Sequence, residues 1–148
     1  MKFVDKIVEN LLKQYVGGQL FFTALDKSIQ HATIVKELFK ISPKDCTIIV
    51  SGSFGQFIYR NFKKDNLLVL SGGLRHVKSI SLEPYAEQIE GKDFIFIDDS
   101  YYLGRTRDVI RTEIERLKGN FLHTYVVYDG SKVKDPQLTS LYRYYERH

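Results

Sequence analysis

The chain has one cysteine, no spaced metal-binding motif and no long apolar run, and each absence narrows what it can be. Cys46 alone cannot form an internal disulfide, and its place at the head of an apolar, β-branched run fits a small buried hydrophobe. His31, His76, His123 and His148 lack HExxH spacing and no CxxC is present, which argues against a structural zinc. No apolar stretch approaches the roughly 20 residues of a membrane span. The opening "MKFVDKIVENLLKQY" sets Asp5 and Glu9 inside its apolar pattern, as an amphipathic helix does and a signal peptide does not. A cytoplasmic protein with no membrane partner is expected. Internal repeats and low-complexity segments are also missing.

What remains is an ordinary globular composition: 148 residues, 43% hydrophobic and 27% charged. That length fits a single domain over residues 1–148 with a self-sufficient core. The net charge of +4 suits an anionic partner without choosing among nucleic acid, nucleotide and sugar phosphate.

Helical spacing of Phe3, Ile7, Leu11 and Tyr15 predicts a first helix ended by Gly17-Gly18, and "QLFFTALDKS" reads as a short extended piece or turn. A second helix is predicted from about Ser28 to Phe39, stopped by Ser42-Pro43-Lys44-Asp45. Four apolar runs then read as strands: Cys46 to Val50, Asn66 to Leu70, Asp93 to Ile97 and Phe121 to Tyr128. Between them lie a loop "SGSFG" with a helix after it, a glycine-containing connection with a short strand near Val77 to Ser81 and a helical turn near Tyr85 to Ile89, and a helix from "RTRDVIRTEIERLKG" capped by Gly119. The alternation predicts an α/β fold, a parallel sheet flanked by helices, with ligands at the carboxyl ends of the strands. The tyrosine-rich tail "LTSLYRYYERH" is expected to pack on the sheet edge or a neighbouring subunit, with stacking on a base as the alternative.

The most informative stretch is "FIFIDDSYYLGRTRDVI", Phe94 to Ile110. Asp98 and Asp99 repel each other at a strand end and call for hydroxyls, a cation or a metal; otherwise Asp99 caps a helix and Asp98 is solvated. The amides of Tyr102 to Thr106 fall near a helix amino terminus, which favours phosphate, and Gly104 permits close approach. Phosphate on one side and sugar hydroxyls on the other fit a 5-phosphoribosyl group.

An apolar strand, two acidic residues, a short variable stretch and Gly-x-Thr resemble the phosphoribosyl pyrophosphate (PRPP) signature of the type I phosphoribosyltransferases. "DDSYYLGRT" is similar in particular to the version in the bifunctional pyrimidine-operon attenuator and uracil phosphoribosyltransferases. The order of elements from about Ile34 to Tyr128 agrees with that family's core. The resemblance implies transfer of the phosphoribosyl group of PRPP to a nucleobase or related nitrogen base, with Mg2+ and release of pyrophosphate, a role in nucleotide metabolism, and a homodimer. Asp98 and Asp99 would be the catalytic pair, holding the ribose hydroxyls and, with the ligand, the magnesium. Tyr102, Leu103, Gly104, Arg105 and Thr106 would wrap the 5-phosphate. Ser51, Gly52, Ser53, Phe54 and Gly55 would form the pyrophosphate loop, and Arg75, His76 and Lys78 would lie in the mobile loop.

Leu103 stands where the family has threonine or serine, and no basic residue lies between Asp45 and Tyr59. These departures favour an alternative in which the same fold binds a nucleotide or sugar phosphate, such as PRPP or a nucleoside monophosphate, as a sensor, regulator or sequestering protein. An RNA-binding regulator is a further alternative. Arg105, Arg107, Arg111 and Arg116 would supply its basic patch, although their interleaving with Asp108, Glu113 and Glu115 reads as a solvated face.

Overall fold

The computed structural model describes residues 29–70, 74 and 77–143. The predicted first helix, the "QLFFTALDKS" segment, Arg75, His76 and the end of the tail lie outside them. The elements are α1 (Ile29–Ile41), β1 (Thr47–Ser51), α2 (Gly52–Asn61), β2 (Leu67–Leu70), a 3-10 turn (Glu83–Tyr85) leading into α3 (Ala86–Ile89), β3 (Asp93–Tyr101), α4 (Arg105–Arg116), β4 (Asn120–Asp129) and β5 (Leu138–Arg143). The five strands form one sheet in the order β2-β1-β3-β4-β5, with every neighbouring pair parallel.

Alternation along the strands divides the core between the two sheet faces. Ile48, Val50, Ile95, Ile97, Tyr125 and Val127 pack with Ile34, Val35 and Leu38 of α1 and Phe54, Phe57 and Ile58 of α2. Their neighbours Ile49, Phe94 and Phe96 pack the other way, with Ile89 of α3 and Ile110 and Ile114 of α4. A parallel sheet covered on both faces needs continuous apolar strands, and "IIV" and "FIFI" supply them.

Several predicted boundaries move. The second helix runs to Ile41, where the Ser42 hydroxyl donates to the Phe39 carbonyl. "SGSFG" is not a loop: Gly52, at a φ of 63°, turns the chain straight from β1 into α2. Val77 to Ser81 form no strand. Instead the connection is pinned by buried Leu74 and Leu82, and the Leu82 amide donates to Glu113 at 2.6 Å. At the end of α4 the left-handed residue is Lys118 and not Gly119, whose amide donates to the Ile114 carbonyl. The tail does join the sheet edge, as β5, with Thr124 opposite Leu138 and Asp129 opposite Arg143. Among the described residues no helix is long and apolar enough to cross a membrane.

Candidate functional site

The strand that carries the acidic pair is longer than its apolar run. It continues through Asp98, Asp99, Ser100 and Tyr101 because β4 keeps pairing with it, Asp98 opposite Val126, Ser100 opposite Tyr128 and Tyr101 opposite Asp129. On its other side the pairing with β1 stops at Ile49 opposite Phe96. The two carboxylates therefore sit on a paired strand next to the place where β1 has turned away into α2. Asp99 does not cap a helix.

Both side chains are half-buried. The Asp99 amide donates to Asp98 Oδ1 at 2.9 Å, and the Ser100 hydroxyl lies 3.4 Å from Asp99 Oδ1. Among the described residues neither carboxylate has a cationic partner. Burial, then the neighbouring Asp99 charge and a hydrogen bond with it, push the Asp98 carboxyl well above the usual range, and burial also raises Asp99. The pair resists holding two negative charges unless a hydroxyl-bearing or cationic ligand meets it.

The turn that follows ends at Gly104, which adopts φ 75° and ψ 16° and caps α4. A β-carbon there would lie 2.6 Å from the Tyr101 hydroxyl and 3.2 Å from Arg107 Nη2, so glycine is required twice over. The close approach that this glycine permits is thus made by Tyr101, within the protein. Beyond it the first amides of α4 point out of the helix, where the macrodipole favours an anion. Tyr102 is half-buried, its ring meeting Tyr128 edge-on at 6.0 Å, and Leu103 is 73% exposed. Arg105 is exposed and Thr106 half-buried.

Arg107 corrects the expectation of a solvated arginine face, because it is only 7% exposed. Its Nε pairs with Asp108 Oδ1 at 2.7 Å, its Nη1 with Asp135 Oδ2 at 2.9 Å, and its Nη2 donates to the Tyr101 hydroxyl at 3.0 Å. The Tyr101 hydroxyl in turn donates to Asp135 Oδ2 at 3.0 Å. Burial opposes the charge on Arg107, but the bonds to Asp108 and Asp135 outweigh it and raise its pKa. Burial likewise opposes ionisation of Asp135, yet the Gln137 amide, Arg107 and Tyr101 hold its carboxyl below the usual range. Sequence reasoning overlooked Tyr101, Arg107 and Asp135 as a group. The available signal was a cation in the first turn of a helix, where the dipole disfavours it unless carboxylates surround it.

The second helix start at this edge is that of α2. Ser51 is buried in extended backbone and makes no side-chain cap, Gly52 is half-buried, Ser53 is exposed, and Phe54 and Gly55 are buried on the sheet. Among the described residues a β-carbon on Gly52 would meet nothing within 4 Å. Ser51 to Gly55 and Asp98 to Thr106 are thus gathered at one sheet edge. Lys78 is exposed in the connection after β2, and Arg75 and His76 lie outside the described residues. Among the described residues no group of three or more His, Cys, Asp or Glu could hold a metal by itself.

No family model and no curated protein matches the sequence. Solved structures do match. An adenine phosphoribosyltransferase from Thermoanaerobacter pseudethanolicus is 15% identical, with a TM-score of 0.62 over 93% of this chain and 99% of that one. The adenine phosphoribosyltransferase from Rhodothermus marinus is 13% identical, with a TM-score of 0.61 over 95% and 99% of the two chains. An orotate phosphoribosyltransferase from Mycobacterium tuberculosis H37Rv, solved with PRPP, gives 12% identity and a TM-score of 0.54 over 95% and 88%. The protein has the fold of the type I phosphoribosyltransferases.

Proposed function

We propose that the protein is a phosphoribosyltransferase that moves the 5-phosphoribosyl group of PRPP onto a nitrogen base and releases pyrophosphate. The observation that carries this reading is the half-buried Asp98–Asp99 pair on an extended strand end, directly before the glycine-capped start of α4, on this fold. The amides of Tyr102 to Thr106 hold the 5-phosphate and the two carboxylates accept hydrogen bonds from the ribose hydroxyls. The start of α2, from Ser51 to Gly55, faces the departing pyrophosphate.

In the transfer, the bond between the anomeric carbon and a pyrophosphate oxygen breaks. A bond from that carbon to the base nitrogen forms, and the nitrogen gives up its proton. The protein's own contribution is positioning and charge stabilisation around an oxocarbenium-like centre. Asp98 and Asp99 fit a magnesium ion, which commonly takes one or two carboxylates and fills its other positions with substrate oxygens and water. When bound, that ion supplies positive charge to the sugar hydroxyls and pyrophosphate.

Calorimetry with PRPP and magnesium, followed by a panel of bases monitored for pyrophosphate release, tests the reading. Binding and release with at least one base are expected. Failure of PRPP and of nucleoside monophosphates to bind at millimolar concentration removes it. A second reading, a binder without turnover, draws support from the exposed Leu103 and from the lack of any cation between Cys46 and Ile58. It expects binding without release. We also propose one domain, its core from about Ile34 to Tyr128, paired as a homodimer in the cytoplasm.

A further inference from the structure

The segment after β4, residues 130–137, is tied to the proposed phosphate loop from several directions. The Gly130 amide donates to the Tyr101 carbonyl at 2.9 Å. A β-carbon on Gly130 would stand 2.7 Å from the Tyr102 ring, so the two segments touch with no room to spare. Asp135 receives both the Tyr101 hydroxyl and the Arg107 guanidinium. The segment is also braced from behind. Asp129 Oδ1 accepts from the Ser131 amide at 2.9 Å and hydroxyl at 2.6 Å, while Arg143 reaches Asp129 Oδ2 at 3.2 Å and the Ser131 carbonyl at 3.1 Å.

Arg107 is the member of this group whose position makes it a transmitter. Its backbone belongs to the first turn of α4, the turn that would receive the phosphate, and its buried guanidinium ends on the far segment. Three separate groups use its planar fork, Asp108, Asp135 and Tyr101, a geometry that a point-charge ammonium cannot reproduce. Its charge is already engaged and so is not the cation that binds the anion.

We propose that Arg107 is a positioning residue which, through Tyr101 and Asp135, couples anion occupancy of the loop at 102–106 to the order of segment 130–137. The proposal rests on the reading of that loop as a phosphate site. Loading the loop fixes the first turn of α4, and the guanidinium carries that restraint to Asp135. Segment 130–137 is then firmer when phosphate is bound than when it is absent.

Hydrogen exchange with ribose 5-phosphate as the probe tests this in the unmodified protein, Tyr101→Phe, Asp135→Asn and Arg107→Lys. In the unmodified protein the probe slows exchange both at 102–106 and at 130–137, the second by about fivefold, a typical coupling factor. In all three variants the effect at 102–106 persists, while the effect at 130–137 is lost in Arg107→Lys and Asp135→Asn and diminished in Tyr101→Phe, which keeps the Arg107–Asp135 pair. Tyr101→Phe removes only a hydroxyl, which keeps the test available if the charge variants fold poorly. A merely structural role would lower thermal stability without removing the probe-dependent change. Protection at 102–106 with none at 130–137 in the unmodified protein, or undiminished protection at 130–137 in Tyr101→Phe and Asp135→Asn, overturns the coupling and leaves the phosphate site standing. No protection at either segment of the unmodified protein removes both.

Discussion

Two helices begin at the carboxyl edge of the sheet, each behind a left-handed glycine, and their surroundings are opposite. Gly104 at the start of α4 is hemmed in by Tyr101 and Arg107, and the turn around it is held by an ion-pair group centred on buried Arg107. Gly52 at the start of α2 has no described residue within 4 Å of where a β-carbon would stand, and Ser51 makes no side-chain cap. A braced helix start has its amides partly ordered before a ligand arrives, so that binding needs only to complete that ordering. An open one leaves room for a ligand to approach the backbone. Under the proposed function, α4 would grip the 5-phosphate and α2 would let the pyrophosphate come and go.

The largest expected effect comes from removing the brace. Arg107→Ala leaves the partly buried Asp135 without its guanidinium, and a partly desolvated group that loses its partner costs about 1–3 kcal/mol. Urea unfolding should show a loss of that size, and a change below about 1 kcal/mol would mean that the turn holds itself without Arg107.

The two glycines give the direct comparison. Either alanine incurs the left-handed penalty of about 1–2 kcal/mol. Gly104→Ala should cost visibly more than Gly52→Ala, because the new methyl at Gly104 collides with Tyr101 and Arg107, whereas among the described residues one at Gly52 meets nothing within 4 Å. Equal losses in paired melts would erase the distinction.

The acidic pair separates the edge by pH. Asp98 has its carboxyl pKa raised in the folded protein by burial and by Asp99, so the folded state binds more protons than the unfolded one above the ordinary carboxyl pKa. Its contribution therefore weakens the unliganded protein as pH rises from about 4 through the raised value. Asp135 has the opposite sign, its lowered pKa adding stability above the ordinary range that is lost as pH falls through the lowered value. Asp98→Asn should flatten the decline with rising pH and raise stability at neutral pH. A steeper decline in the variant would contradict the assignment.

Leu103→Thr should do least. The side chain is 73% exposed, so unfolding stability should stay within about 0.5 kcal/mol. Affinity for a phosphorylated sugar should change by less than about tenfold, equivalent to roughly 1.4 kcal/mol, if the loop amides already hold the anion. A larger gain would assign the missing hydroxyl a main part in the grip.

Much of this architecture was legible. The runs "IIV", "LLVL", "FIFI" and "YVV" carry enough apolar β-branched and aromatic character to identify four parallel strands, and "RTRDVIRTEIERLKG" identifies α4. The apolar run alone ends the third strand at Ile97 because acidic residues are poor strand formers, but continued pairing with β4 overrides that preference through Tyr101. "SGSFG" looked like a loop because its glycines and serines punctuate structure, whereas one left-handed glycine suffices to start α2 at once. Arg107 was read as solvated because its partners Tyr101 and Asp135 come together only through the fold. The sequence therefore located the candidate edge through Asp98, Asp99 and the Gly-Arg-Thr run, and missed the side chains that brace it.

Titration calorimetry of PRPP with magnesium into the unmodified protein and into Asp99→Asn, alongside thermal melts of both, addresses the proposed role of this edge most directly. Saturable binding should weaken by about tenfold or more in the variant, since a charge-assisted bond to a ribose hydroxyl is lost, while its unliganded melting temperature holds or rises. Undiminished affinity in Asp99→Asn, or no binding to the unmodified protein at millimolar ligand, would contradict it.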